Sequence, residues 1–255
     1  MSRNKNIKPN SRTEHLHELR NRVIISLLAF ICCFAVSYYF VENIYQFLVA
    51  PLEEIYKDRA NSRLIYTGLT EAFFTYLKLA FYSGFFLAFP IIIMQVYNFI
   101  APALFRSERK ILTLFINLGP ILFLAGGFIC YQFIFPLAWK FFVGFENLGS
   151  NGGLPIILEA RVSEYLSLSM QLILAFGLAF QIPIILLILI VSELIELETL
   201  KKSRKIAIVL IVVFAAIVTP PDIISQIGLA IAIYLLFEIT LLIAKRLTKK
   251  KAKNA

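Results

Sequence analysis

The sequence predicts an all-α integral membrane protein built from six membrane-spanning helices. Of its 255 residues, 59% are hydrophobic and 16% are charged, whereas a soluble domain has about 45–50% apolar and about 25% charged residues. Six apolar runs are continuous and lack the period-two alternation that is typical of strands. The net charge of +9 comes from basic clusters between these runs, a distribution that argues against a nucleic-acid-binding surface.

Each predicted helix follows from the length of its apolar run. A helix needs about 20 apolar residues to cross a hydrocarbon layer of about 30 Å. The first run is too long for the core of a signal peptide and has no cleavage pattern, so we expect it to remain as a membrane helix. The predicted spans are residues 23–41, 72–100, 111–137, 165–191, 206–218 and 223–244.

The fifth run is short for a span. At about 1.5 Å per residue, it covers only about 20 Å. It ends before Pro220 and Pro221, which stop a helix. Either the bilayer thins around this helix, or flanking Lys205 and Thr219 extend it, and the sequence leaves both possibilities open.

The distribution of basic residues predicts the orientation. Nineteen of the 25 lysines and arginines fall on one side: six in the N-terminal tail, three in residues 101–110, four in residues 192–205 and six in the C-terminal tail. Five fall on the other side, and Lys78 lies within the second span. The positive-inside rule then places both termini in the cytoplasm. We expect one membrane domain: a cytoplasmic segment 1–22, a bundle 23–244 and a basic tail 245–255.

The two long outer segments are also apolar. Residues 42–71 begin with apolar side chains at helical spacing before Pro51, which predicts an amphipathic helix at the outer interface. Residues 154–168 repeat this pattern before the fourth span. We assign Pro51 and Asp222, which lies in the turn after the fifth span, to the periplasmic cap and turns.

The sequence has no pattern that predicts catalysis or a cofactor. It lacks a phosphate-binding glycine loop, a nucleophile-elbow serine and a zinc-protease motif. The three cysteines lie inside apolar runs and are interpreted as small core residues. His15 and His17 are too few for a metal site. We therefore expect neither an enzyme nor a metal protein.

Polar side chains within the spans are rare. Lys78 lies near the outer end of the second span, so its ammonium group is expected to reach the interface. Gln181 lies inside the fourth span, two residues before Pro183. Its amide either makes an ordinary contact between helices of this bundle or bonds to the helix of a partner protein.

Two glutamates lie among the bases of the cytoplasmic side. Glu18 belongs to "HLHELRNRV" and Glu108 to "FIAPALFRSERK". Each has a local explanation: Glu18 pairs with Arg22 at i+4, and Glu108 follows the capping residue Ser107 at a helix N-terminus. The alternative is that both carboxylates bind cations of a partner, since they suit bidentate arginine.

These blocks, in this order, resemble the TatC family, the polytopic core of the twin-arginine protein translocase. The resemblance covers about residues 11–246. It is carried by "HLHELRNRV", "APL" at 50–52, "EAFFTYLKLAF", "FPIIIMQVYNFIAPALFRSERK", "FPLAWKFF", "SEYLSLSMQLILAFGLAFQIPI" and "TPPDIISQIGLAIAIYLLFEI".

The resemblance implies a fold and a binding site. It implies a concave, glove-like bundle with a cytoplasmic N-terminus and short fifth and sixth helices. It also implies that Glu18 and Glu108 bind the paired arginines of a substrate's signal peptide, with Arg20, Phe99 and Arg109 near that site. A small-solute transporter is the competing function, but its repeated halves and midplane charges are not visible in this sequence.

The resemblance further implies partners and a location. The polar position of the fourth span, often glutamate in the family and Gln181 here, would contact single-span subunits of the TatA and TatB types. The protein would self-associate in a multimeric receptor complex in the cell inner membrane. Export of folded proteins would be driven by the proton-motive force, since the chain has no nucleotide site.

Overall fold

The computed structural model describes the backbone of residues 11–57, 63–100, 106–146, 158–192, 194–219 and 222–253. For residues 11–14, 100, 106–116, 191 and 247–253 it describes the backbone only. The described part is helical except for its turns, short extended stretches and one isolated β-bridge. This confirms the predicted all-α class.

Ten α-helices follow one another along the described chain. A π-helical turn at Cys130–Ile134 joins the fourth to the fifth. The helices are α1 Ser11–Tyr39, α2 Val41–Tyr56, α3 Glu71–Ile100, α4 Arg106–Ile129, α5 Phe135–Val143, α6 Val162–Ala179, α7 Ile182–Val191, α8 Leu197–Lys202, α9 Arg204–Val218 and α10 Ile223–Lys253.

Five segments of the described chain are long and apolar enough to cross a membrane, and they correspond to predicted spans one to four and six. The helix α9 has 15 residues, which is about 22 Å at 1.5 Å per residue. It is shorter than these five, so the count of six spans stays a prediction. The five segments are His15–Tyr39, Glu71–Phe99, Asn117–Val143, Val162–Ile190 and Ile223–Arg246.

Two expectations about helix length were wrong, for the third span and for the sixth helix. The third span continues to Val143, because the π-helical turn and a proline in the first turn of α5 carry the helix on. The fourth predicted span is confirmed at Val162–Ile190, and its helix is interrupted between Ala179 and Ile182, just before Pro183. The sixth helix is not short: α10 has 31 residues, because no proline separates its apolar run from the basic tail.

Pro51 lies inside α2 and not at its end. Proline has no N–H for the carbonyl group of Phe47, four residues earlier. The hydroxyl of Tyr131 donates to that carbonyl at 2.8 Å, and its ring stacks on the Phe47 ring with centroids 4.4 Å apart. The hydroxyl of Tyr165 donates to the neighbouring carbonyl of Leu48 at 2.7 Å. Two tyrosines of the membrane-spanning segments therefore hold the predicted amphipathic helix beside its proline.

The second predicted amphipathic segment is not helical where the structure describes it before α6. Residues 158–160 have no helical structure, and Arg161 pairs with Ile65 in a parallel β-bridge. The Ile65 N–H donates to the Ala160 carbonyl at 3.0 Å, and the Val162 N–H donates to the Ile65 carbonyl at 2.9 Å. Backbone pairing thus joins the segments that precede α3 and α6.

The core forms where small residues let helices approach closely. A Cβ atom on Gly126 of α4 would lie 2.6 Å from the carbonyl oxygen of Phe176 in α6. In the opposite direction, a Cβ atom on Gly177 of α6 would lie 2.7 Å from the ring of Phe123 in α4. Both phenylalanines are fully buried. Close packing of this kind is the main attraction between helices in lipid, where burial of apolar surface gives no advantage.

A double substitution tests whether Tyr131 replaces the hydrogen bond that Pro51 cannot make. Tyr131→Phe removes the donor to Phe47, and we expect it to destabilise the protein by about 1 kcal/mol, or about 2–4 °C in Tm. In the Pro51→Ala variant the restored N–H serves the same carbonyl, so Tyr131→Phe should then have almost no effect. Unfolding is followed by the reaction of buried Cys130 with a thiol dye after Cys32→Ser and Cys33→Ser.

The matched control is Tyr39→Phe, since Tyr39 is 80% exposed and should show no shift in either background. If Tyr131→Phe lowered Tm equally in the presence and absence of Pro51, its hydroxyl would not be compensating for the missing proline N–H.

Candidate functional site

The start of α1 and the end of α3 meet at an arginine bridge. Nη2 of Arg22 lies 3.5 Å from Oε1 of Glu18, one turn earlier in α1, which confirms the predicted i+4 pair. Nη1 of the same guanidinium donates to Oε1 of Gln95 in α3 at 3.1 Å. The side chains of Arg22 and Glu18 are 31% and 33% exposed. The Glu18 carboxylate therefore has one long contact within the protein and is one-third exposed.

An aromatic contact lies beside this bridge. The rings of His15 and Phe99 stack with centroids 4.9 Å apart, so Phe99 reaches the same end of α1 as Glu18. Arg20 is exposed, and its nearest described partner is the side chain of Asn21 at 3.5 Å. The structure therefore places Glu18, Arg20 and Phe99 at one end of the bundle.

Glu108 and Arg109 belong to the first turn of α4. Their side chains lie outside the described residues, as do residues 101–105 of the connection from α3. A carboxylate in the first turn is favoured by the helix dipole. How near Glu108 lies to Glu18 is therefore not described.

Gln181 is buried where the fourth span is interrupted. It is 7% exposed, and its Nε2 donates to the carbonyl of Gly119 in α4 at 3.1 Å. This is the interhelical contact that the sequence left as one of two possibilities. Its Oε1 is buried and has no hydrogen-bond partner in the described structure. The contact to a partner helix stays a prediction.

The opposite end of the bundle holds Asp222. Its Oδ1 accepts a hydrogen bond from the Ser225 N–H at 2.6 Å, which makes it the N-cap of α10. Gln171 of α6 donates from Nε2 to the carbonyl of Val218 at 2.8 Å, at the end of α9. Asp222 therefore caps α10, and Gln171 satisfies the backbone at the end of α9.

Sequence reasoning missed two members of the Glu18 end. Gln95 was not noticed. It is one of only two side-chain amides in the second predicted span, with Asn98, and this rarity was the available signal. His15 was considered only as a metal ligand. Among the described residues, no three His, Cys, Asp or Glu side chains are grouped to hold a metal ion.

Comparison with known proteins identifies the family. The family model of the Sec-independent protein translocase protein TatC matches residues 14–231. The chain is 45% identical over 241 residues to the Sec-independent protein translocase protein TatC of Rickettsia prowazekii, covering 94% of this chain and 95% of the relative. It is also 45% identical over 243 residues to the protein of that name from Magnetococcus marinus, covering 94% and 86%.

Solved structures agree with the sequences. A crystal structure of the twin arginine translocase receptor TatC in DDM superimposes with a TM-score of 0.77 and 34% identity, covering 90% of this chain and 99% of that one. A second crystal structure of that receptor gives a TM-score of 0.76 and the same identity. With five apolar helices of spanning length in its described residues, the chain is a multi-pass membrane protein and belongs to the TatC family of protein translocase components.

Proposed function

We propose that this protein is the receptor core of a twin-arginine translocase, in which Glu18 and Glu108 bind the paired arginines of a signal peptide. The observation that carries the proposal is the half-buried Glu18 carboxylate, which pairs with Arg22 where that arginine joins α1 to Gln95 of α3. A carboxylate in a partly desolvated site suits arginine, which stays charged and donates two parallel hydrogen bonds.

The internal arginine does not block this site. The Glu18–Arg22 contact is a single one at 3.5 Å, and helical i+4 pairs of this kind contribute only about 0.3–0.5 kcal/mol. A bidentate arginine forms shorter, charge-assisted hydrogen bonds with the same carboxylate. Gln95 keeps its own bond to Arg22, so the guanidinium of Arg22 remains anchored when a ligand approaches Glu18.

Glu108 is proposed for the second arginine from its place in the sequence. It lies in the first turn of α4, nine residues after Phe99 along the chain, and Phe99 contacts the start of α1 through His15. Arg20 and Arg109 flank the two acids. Their charges repel stray cations, so that only a ligand able to pair with both carboxylates binds well.

Substitution of the two acids tests the proposal. Glu18→Gln and Glu108→Gln keep the side-chain shape but remove the charge, so each should weaken binding of a twin-arginine signal peptide. A lost hydrogen bond to a charged group is worth about 1.5–3 kcal/mol, which is roughly a 10- to 150-fold rise in Kd. Binding of a fluorescent peptide to the purified protein is the measurement.

Glu196→Gln is the control, because Glu196 is an exposed acid in α8's N-cap position and should leave Kd unchanged. Wild-type affinity in the Glu18→Gln, Glu108→Gln double variant would refute the site.

We also propose that single-span subunits of the TatA or TatB type bind beside Gln181, and that copies of the protein assemble around such partners. The support is the break of the fourth span at Gln181 and the Oε1 atom, which lacks a donor among the described residues and would gain from one. Because this atom is buried, a partner helix reaches it only when α4 moves aside.

Gln181→Leu separates the two possible roles of this side chain. It removes the acceptor for a partner and also the donor to Gly119. If the amide contacts a partner, the variant should lose the co-purified single-span subunits while it still binds signal peptide with unchanged Kd. A variant that keeps its subunits, or loses peptide binding and thermal stability together, would show that Gln181 only holds α4 and the fourth span together.

The proposed location is the inner membrane with both termini in the cytoplasm. Contacts support the grouping of the basic segments on one side. His15 and Phe99 join the start of α1 to the end of α3, and Arg204 pairs with Glu238 at 3.0 Å, between the start of α9 and the later part of α10. The proton-motive force is the proposed energy source.

Cysteine labelling tests this orientation. Leu69 is fully exposed on the α2 side, and Leu194 is 72% exposed before α8. In a background without native cysteines, Leu69→Cys should react with an impermeant maleimide added to intact cells. Leu194→Cys should react only after permeabilisation, and the reverse pattern would invert the topology.

A further inference from the structure

A cavity lies between α2, α3, α4 and α6, away from the Glu18 end. It encloses about 290 Å³, roughly twice the volume of an engineered apolar cavity of about 150 Å³ that binds benzene. Its wall includes Leu79, Phe86, Gly127 and Ile173. A space of this size among membrane helices is large enough for part of an apolar guest.

The wall offers almost no hydrogen bonds. The Ser83 hydroxyl donates to the Leu79 carbonyl at 2.6 Å, and the Tyr131 hydroxyl donates to the Phe47 carbonyl at 2.8 Å. An extended peptide in this space would leave its N–H and C=O groups unpaired, which is unfavourable at membrane depth. The chemistry of the wall therefore favours a guest without polar groups along its length.

A flexible hydrocarbon chain has a small cross-section and no polar groups, so it can enter a space of about 290 Å³ that is lined by apolar side chains.

The mouth of the cavity opens to the surroundings of the spans. Phe47 and Phe128 belong to its wall and are 58% and 63% exposed. At this depth the surroundings are lipid, so the space is continuous with the hydrocarbon layer. A lipid chain can enter from the side without leaving the membrane.

A cation lies in position for the head group. Lys78 is exposed in α3, next to Leu79 and one turn before Tyr82, and both of these line the cavity. Lys78 lies seven residues after the start of α3, which is about 10 Å along the helix axis. At that distance its long side chain reaches the membrane interface on the α2 side. An ammonium group at this level attracts the phosphate of a phospholipid.

We propose that this cavity is a phospholipid site, in which one acyl chain fills the space under α2 and the phosphate pairs with Lys78. The site is independent of the proposed binding of signal peptides at Glu18. The bound acyl chain contacts Phe47 and Leu48 of α2. These are the two residues whose carbonyl groups accept the hydrogen bonds of Tyr131 and Tyr165, so the chain adds packing to the same part of α2.

Retention of lipid by matched variants tests the proposal. The protein is equilibrated with vesicles of phosphatidylglycerol and phosphatidylcholine, extracted in mild detergent and examined by native mass spectrometry. Leu174→Trp fills the cavity, and we expect it to retain at least tenfold less phospholipid than the parent. The control is Leu178→Trp, one turn further along α6, where the side chain is 45% exposed and does not line the cavity. It should retain lipid like the parent.

The head-group contact has its own control. Lys78→Gln should lower retention at least threefold, whereas Lys140→Gln, at an exposed lysine of α5 outside the cavity wall, should not. Equal retention by the parent and Leu174→Trp would overturn the proposal. Displacement of the lipid by a twin-arginine signal peptide would also overturn it, by assigning the cavity to the peptide.

The unsubstituted protein provides a second measurement that does not depend on the folding of any variant. A phospholipid with a diazirine in one acyl chain should crosslink mainly to segments 79–86, 124–131 and 170–174, which line the cavity. Crosslinks spread evenly over the exposed faces of α1 and α9 would contradict a specific site.

Discussion

The structure depends on one constraint: inside a membrane, every backbone carbonyl that a helix leaves free must find a donor within the protein. Pro51 frees the carbonyl of Phe47, and Tyr131 donates to it. The end of α9 frees the carbonyl of Val218, and Gln171 donates to it. These donors come from other helices, so the same bonds that satisfy the backbone also hold the helices in register.

This constraint separates the two ends of the bundle. At the α2 end, tyrosine hydroxyls, the N-cap of Asp222 and the bridge between Ile65 and Arg161 use polar groups within the chain. At the other end, the Glu18 carboxylate makes one long contact with Arg22 and stays one-third exposed. Internal hydrogen bonds stabilise the α2 end, whereas the Glu18 end keeps a charged group accessible to a ligand.

Hydropathy alone predicted the helical class and the positions of five spans, because lipid requires long apolar helices and leaves few alternatives. The pair of Glu18 with Arg22 followed from helical spacing. The donor to the carbonyl freed by Pro51 and the acceptor of Gln181 did not follow from the sequence, since Tyr131 and Gly119 lie far away from them along the chain. Gln95 was missed for the same reason: its role appears only when α3 packs against α1.

The most direct measurement is a double-mutant cycle between Glu18 and the arginine pair of a signal peptide. Kd is measured for the parent and Glu18→Gln, each with the natural peptide and with peptides in which one arginine is replaced by glutamine. A direct ion pair predicts that one arginine loses its contribution in Glu18→Gln, with a coupling energy of about 1.5 kcal/mol or more. Additive effects for both arginines would contradict a role of Glu18 as the receptor carboxylate.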